Sequence, residues 1–112
     1  MKDLTELNKL EEYLKARGMR YERFDNDDEI SVGARDGIIY KFDRHQIIVP
    51  ASGAEAEWDA ICQSGSYGAE EGLLEIYGKI VRPCGDSVEG YLTAEDVIDR
   101  IEEVYGKEGT NG

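Results

Sequence analysis

Apolar residues recur at helical spacing close to the start of the chain. They lie three and four residues apart: Leu4, Leu7, Leu10, Tyr13 and Leu14. This spacing places them on one stripe of a helix. Asp3 is a plausible cap for this helix, with Glu6 three residues later completing a capping-box-like pattern. Gly18 follows two basic residues and predicts its end.

A second helical pattern lies near the end of the chain. Its apolar stripe comprises Val97, Ile98, Ile101, Val104 and Tyr105. Thr93 is the expected cap, with Asp96 at the third helical position, and Gly106 is expected to end the helix. The polar residues 107–112 predict a disordered tail.

Between these helices the apolar period changes to two, which is typical of strands. Residues 19–24 form a weak strand pattern, and residues 25–28 predict a turn. Two further alternating stretches flank Arg35–Gly37, and their apolar residues are Ile30, Val32, Ala34, Ile38, Tyr40 and Phe42. A three-residue loop with positive φ at Gly37 pairs Val32 with Tyr40 and places all six on one face, whereas a two-residue turn mixes the faces.

A second hairpin is expected from residues 46–49 and 57–62, around a loose connection. A turn centred on residues 52–53 puts Ile47 opposite Trp58 and His45 opposite Ala60. After the glycine-rich residues 65–68, apolar spacing favours a short helix from Ala69 to Tyr77, with a buried strand as the alternative.

These elements predict one α+β domain over residues 1–106. An N-terminal helix precedes an antiparallel meander of four to five strands, and a short helix and a C-terminal helix follow it. The helices are expected to cover one face of the sheet.

The composition narrows the class of protein. The 112 residues carry 25 acidic and 13 basic side chains, a net charge of −12. Because backbone binding to nucleic acid needs clustered Lys and Arg, direct binding to it is not expected. No apolar run approaches the ~18 residues of a membrane span, and the charged N-terminus lacks a signal-peptide pattern, so we expect a cytoplasmic protein with no membrane contact. Residues 86–112 hold eight acidic and two basic side chains, half of the net charge.

Two stretches resemble small acidic proteins of clostridial bacteria and their prophages or mobile elements. The first runs from His45 to Ile76 and includes the segments HQIIV, WDAIC, GSYG and EGLLEI; the second is VEGYLTAEDVI, residues 88–98. The resemblance covers roughly residues 45 to 101. It implies a cytosolic protein linked to a mobile element and no assigned activity.

Candidate chemistry is sparse. In the expected register Cys62 lies on the same face as His45, one diagonal step away, and a thiolate beside an imidazolium is an activated nucleophile. This pair is the weak candidate for a hydrolase or transferase. The alternative is a buried cysteine that acts as a small hydrophobe. With one histidine and without paired cysteine motifs, neither Cys62 nor Cys84 predicts a zinc site or a disulfide framework.

Two other motifs fail on inspection. Four acidic residues, Asp25, Asp27, Asp28 and Glu29, resemble a calcium loop. Measured from the first of them, however, Ile30 and Asp36 stand where an EF-hand needs Gly and Glu. Residues 65–68 resemble a phosphate cradle, but Glu70 and Glu71 follow where a basic residue is needed. We therefore predict no metal and no cofactor.

The sequence favours a binding protein over an enzyme, with another protein as the expected partner. Trp58 is a core residue or a binding residue, and Tyr67 is a candidate for an exposed aromatic contact. The acidic side chains of the predicted C-terminal helix supply the further binding candidates Glu95, Asp99, Glu102 and Glu103. Because carboxylates can imitate nucleic-acid phosphates, the alternative within binding is a mimic that inhibits a DNA-processing protein.

Overall fold

The computed structural model describes residues 2–33, 35–82 and 87–106. Helix α1 spans Thr5–Arg17 and helix α2 spans Ala94–Tyr105. The strands between them are β1 (Glu22–Val32), β2 (Ile39–Val49), β3 (Trp58–Ile61), β4 (Leu74–Gly78) and β5 (Val88–Leu92). They form one antiparallel sheet in the order β1-β2-β3-β4-β5, which confirms the α+β class and the meander. No described helix has the length and apolar character needed to cross a bilayer.

The core lies between one face of the sheet and the two helices. Alternate strand residues supply the sheet side, namely Ile47, Val49, Trp58, Ala60, Leu74 and Ile76. The helices supply the other side with Leu7, Leu10, Leu14, Ala94, Val97 and Ile101. Since side chains alternate across a strand, every second residue of β3, β4 and the inner part of β2 reaches this core.

The two helices are tied together at both ends. Glu6 Oε1 accepts a hydrogen bond from the Ala94 backbone N–H at 2.8 Å. At the other end Arg17 Nη2 donates to the Tyr105 carbonyl at 3.1 Å. The starts of the helices are therefore neighbours, and so are their ends, which means that α1 and α2 run parallel.

Helix ends follow the predictions except at the start of α1. The cap of α1 is Leu4, not Asp3, and Glu6 closes no capping box because its carboxylate serves α2. Gly18 ends α1 with φ 76° as predicted. In α2, the Thr93 hydroxyl accepts a hydrogen bond from the Asp96 N–H, and the Asp96 carboxylate accepts one from the Thr93 N–H. This capping box is therefore confirmed, and so is the end of the helix at Gly106.

The turn predicted at residues 25–28 is wrong, because β1 runs through it as a β-bulge. Asn26 pairs with Arg44 and Glu29 pairs with Phe42, so two residues of β1 face one residue of β2. This insertion is the usual form of a bulge and bends the strand. The Asn26 side chain stabilises it by accepting the Asp28 N–H at 2.9 Å.

The register predicted for the first hairpin is also wrong. Val32 pairs with Ile39 rather than with Tyr40, and Ile30 pairs with Lys41. Gly37 has the predicted positive φ of 66°, and Ala34 lies outside the described residues. The prediction assumed that the apolar side chains needed one buried face, but this part of the hairpin covers no core, so nothing imposes that register.

The second hairpin keeps the predicted faces with a register shifted by two residues. Ile47 pairs with Ala60 and Val49 pairs with Trp58. The connection is longer than expected, because a 3-10 turn at Gly53–Glu55 takes up part of it.

The helix predicted over residues 69–77 is wrong, and the strand alternative is correct. Only a 3-10 turn, Ala69–Glu71, precedes strand β4. A side chain at Gly78 would bring its Cβ within 2.5 Å of the Glu57 carbonyl, so this glycine allows β4 to approach β3 closely. Gly78 is thus a requirement of the pairing between β3 and β4.

Candidate functional site

The β1–β2 hairpin extends beyond the rest of the sheet. Because β3 pairs with β2 only over Gln46–Val49, the outer half of the hairpin has no third strand beside it. We call residues 28–42 the outer ribbon. The part of β2 before Gln46, seven residues long, reaches about 20 Å at ~3.3 Å per residue.

The outer ribbon concentrates the exposed apolar surface of the molecule. Six of its large hydrophobic side chains are 39–63% exposed, namely Ile30, Val32, Ile38, Ile39, Tyr40 and Phe42. Val32 lies opposite Ile39 on one face, and Tyr40 and Phe42 alternate with Ile39 onto the other. The remaining large hydrophobics exposed in the described chain are spread over other elements: Tyr67, Tyr77, Tyr91 and Val104.

The tip of the ribbon is organised by Asp36. Its carboxylate accepts the Ile38 N–H and the Tyr40 hydroxyl, both at 2.9 Å. The backbone bond from Ile38 and the bond from Tyr40 lower the pKa of Asp36. The tip is therefore held by local polar bonds while its apolar side chains face solvent.

The base of the ribbon is held by His45, which is only 3% exposed. Its Nδ1 lies 2.7 Å from Asp25 Oδ1, and its Nε2 lies 3.0 Å from Asp27 Oδ1 and 3.5 Å from Asp43 Oδ2. Only the imidazolium has an N–H at both ring nitrogens, so both close contacts are hydrogen bonds when His45 is charged. Asp27 belongs to the bulge, and the ring therefore connects the bulged strand β1 to β2.

Two carboxylates at the base of the ribbon, those of Asp25 and Asp43, are held in the ionised form. Burial raises the pKa of Asp25, but hydrogen bonds from His45 and Arg23 outweigh it and hold that pKa below its ordinary value. Asp43 behaves in the same way, since burial is outweighed by the bond from Ser64 and the charge of Lys2. Within residues 2–33, 35–82 and 87–106 no group of three or more His, Cys, Asp or Glu side chains is arranged to hold a metal ion.

Cys62 and His45 are joined by a backbone hydrogen bond between neighbouring strands, but their side chains do not form the predicted dyad. The Cys62 N–H donates to the His45 carbonyl at 3.0 Å. Both His45 ring nitrogens are occupied by carboxylates, so neither faces the thiol as a base. Cys62 is fully buried, its Sγ lies 3.7 Å from the Asp3 carbonyl, and burial raises its pKa. A buried thiol with a raised pKa is a poor nucleophile. Cys84 lies outside the described residues.

The two aromatic candidates have different surroundings. Trp58 is 2% exposed and belongs to the core, so it offers no surface for a partner. Tyr67 is 57% exposed and stacks on Tyr91, with ring centroids 6.5 Å apart. Beside it, the loop of residues 63–71 lines a polar cavity of about 430 Å³ that also includes Lys2. This loop ends in a three-residue 3-10 turn, Ala69–Glu71, which is too short to present a helix dipole to the cavity.

The acidic binding candidates all lie on α2 and comprise Glu95, Asp99, Glu102 and Glu103. Glu102 accepts the Tyr13 hydroxyl at 3.3 Å, and Glu103 lies 3.7 Å from the Arg82 guanidinium. The other two are exposed and make no ion pair within the described ranges.

Neighbouring carboxylates are also engaged within the fold. Glu89 pairs with the buried Arg100, and Asp96 serves the cap of α2. Among the described residues, the carboxylates on and beside α2 are therefore not a continuous face of free charge.

Comparison of the chain with family models, curated proteins and solved structures finds no match. The resemblance to clostridial mobile-element proteins stays a prediction.

The exposed surface of the outer ribbon was not predicted from the sequence, because the apolar residues of both strands were expected to share one face of the sheet. One signal was available, since Ile38 and Ile39 are consecutive and must point to opposite faces of an extended strand. Apolar residues on both faces of a two-stranded segment indicate a surface that no core covers. The carboxylate contacts of His45 were missed because residues 25–28 were assigned to a turn.

Proposed function

We propose that this chain is a non-enzymatic protein-binding module of the cytosol and that its binding element is the outer ribbon. The observation that carries the proposal is the concentration of six exposed hydrophobic side chains on one projecting hairpin. Contiguous apolar surface on a folded protein is typical of interaction sites. The reduced thiol of Cys62 suits a cytosolic location.

The ribbon is also held in place before it meets a partner. An isolated two-stranded hairpin is marginally stable in water. Here Asp36 organises the tip, and His45 joins the strands at the base. A surface ordered in advance loses less conformational entropy on binding, which favours affinity.

The test compares variants in affinity capture from an extract of the source organism. Val32→Ser with Ile39→Ser removes a cross-strand apolar pair whose members are 62% and 63% exposed. Tyr77→Ser is the matched control, because Tyr77 is similarly exposed but lies on β4. We expect the wild type and the control to retain the same protein partner and the double variant to lose it. Identical captured proteins from all three would reject the ribbon as the binding element.

A further inference from the structure

The outer edge of β1 has free backbone groups at defined residues. β1 is an edge strand of the sheet. The Gly33 N–H donates to the Ile38 carbonyl at 2.9 Å, so the backbone groups of this pair face inward, towards each other. Because inward and outward pairs alternate along an antiparallel ladder, Val32 and Ile30 direct their N–H and C=O groups outward. The same alternation leaves outward groups at Ile39 on β2.

The free part of the edge begins where the bulge ends. The Asp28 N–H is used by the Asn26 side chain, so the bulge offers no regular ladder. The stretch from Ile30 to Val32 is regular strand with a donor and an acceptor at each end. Such an edge is a template for another extended chain.

The charge of β1 determines which kind of extended segment can pair with its free edge. Asp28 and Glu29 make no ion pair with any described residue. A second copy of β1 would bring the same carboxylates, and the whole molecule carries a net charge of −12. Like charges at a docking surface oppose association, whereas a basic segment gains attraction.

The side chains beside the edge set a spacing for the added segment. Ile30 and Val32 lie on one face of the ribbon, and Glu29 lies on the other. A strand paired with β1 places alternate residues on these two faces. The complementary pattern is therefore a β-branched residue followed by Lys or Arg, repeated over a few residues.

We propose that β1 accepts, by strand addition at Ile30–Val32, an extended basic segment in which Lys or Arg alternates with β-branched residues. This inference rests on the proposed function and specifies how the ribbon binds.

The probes are two nine-residue peptides with blocked ends, one alternating Lys with Val and the other alternating Glu with Val. Amide chemical shifts of the full chain are followed during titration. We expect the Lys–Val peptide to shift residues 28–33 and the Glu–Val peptide to shift none. Raising the salt to about 0.5 M should weaken the first interaction about tenfold, because exposed charges are screened.

Two kinds of variant test the geometry. Ile30→Pro removes one outward N–H without breaking the bonds to β2, and it should weaken Lys–Val binding at least tenfold. Tyr77→Ser, which lies on β4 outside the ribbon, is the control and should leave the affinity within twofold. Glu29→Lys should weaken binding of the Lys–Val peptide and allow binding of the Glu–Val peptide. This second variant keeps the test valid if the proline variant disturbs the strand.

Other results would overturn the inference. Equal binding of both peptides, or an unchanged affinity for Ile30→Pro and Glu29→Lys, rejects strand addition by a basic segment. If the Val32→Ser, Ile39→Ser variant loses its captured partner while the peptides never bind, the ribbon binds through its faces and only the inference fails. A concentration-dependent dimer that Ile30→Pro abolishes would identify a second copy as the occupant.

Discussion

Removing the His45 side chain should destabilise the fold and release the outer ribbon. The ring is 3% exposed and contacts Asp25 at 2.7 Å and Asp27 at 3.0 Å. These carboxylates are 45% and 82% exposed, so each bond is assigned about 1 kcal/mol. Loss of the buried ring adds about 1–2 kcal/mol. His45→Ala should therefore cost about 3–4 kcal/mol of the free energy of unfolding, a decrease in Tm of about 10–20 °C for a domain of this size.

The assay combines urea unfolding with amide hydrogen exchange. In His45→Ala, exchange at residues 28–42 should accelerate more than exchange in α1, because the contact joins the strands at the base of the ribbon. A loss below about 1 kcal/mol, or uniform acceleration across the chain, would refute the role given to His45.

The two carboxylates provide an internal comparison. Asp25 also accepts Arg23 Nε at 2.8 Å, whereas Asp27 is more exposed and makes one close contact. Asp25→Asn should therefore cost more stability than Asp27→Asn. Since the pKa of Asp25 is lowered in the fold, its contribution is present above its ordinary value of 3.8 and is lost as the pH falls through the folded pKa. The difference in stability between the wild type and Asp25→Asn should shrink as the pH falls below 3.8, and a constant difference would contradict the ion-pair argument.

Three further outcomes follow from buried polar groups. Glu89→Gln should destabilise the protein by about 3–5 kcal/mol in urea unfolding, because it leaves the charge of Arg100 buried without its carboxylate; an unchanged midpoint would contradict this. Burial raises the pKa of Asp59, so the protonated carboxyl stabilises the fold at low pH and this contribution is lost as the pH rises above 3.8. Asp59→Asn should therefore raise Tm at pH 7 and not at pH 3, and a rise at pH 3 alone would contradict the burial of this carboxyl. In a Cys84→Ser background, Cys62 should react with iodoacetamide only after denaturation, and rapid native labelling detected by mass spectrometry would contradict its burial.

Local signals predicted the ends of the helices well. Thr93 and Asp96 form a capping box because the bonds involve residues three apart and depend little on the rest of the fold. Leu74 and Ile76 were harder to assign, since a short apolar run fits a helix or a buried strand equally. The strand at these residues pairs with β3, where Gly78 leaves room for the Glu57 carbonyl. That contact is tertiary and is not visible in the local sequence.

The register of the ribbon was beyond pattern analysis for a different reason. A hydrophobic pattern specifies register only where one face is buried. Ile30 and Val32 lie beyond the helices, so their exposure imposes no choice between neighbouring registers. The contacts of His45 with Asp25 and Asp27 depend on that register and on the bulge, and they could not be predicted before either was known.

The bond from Ala94 to Glu6 joins the two ends of the domain. Every strand of the sheet pairs with its neighbour along the chain. The helix layer differs, because the first turn of α2 meets a carboxylate 88 residues earlier. A chain shortened at either end would lose one of the two parallel helices, and with it part of the cover over the apolar face of the sheet.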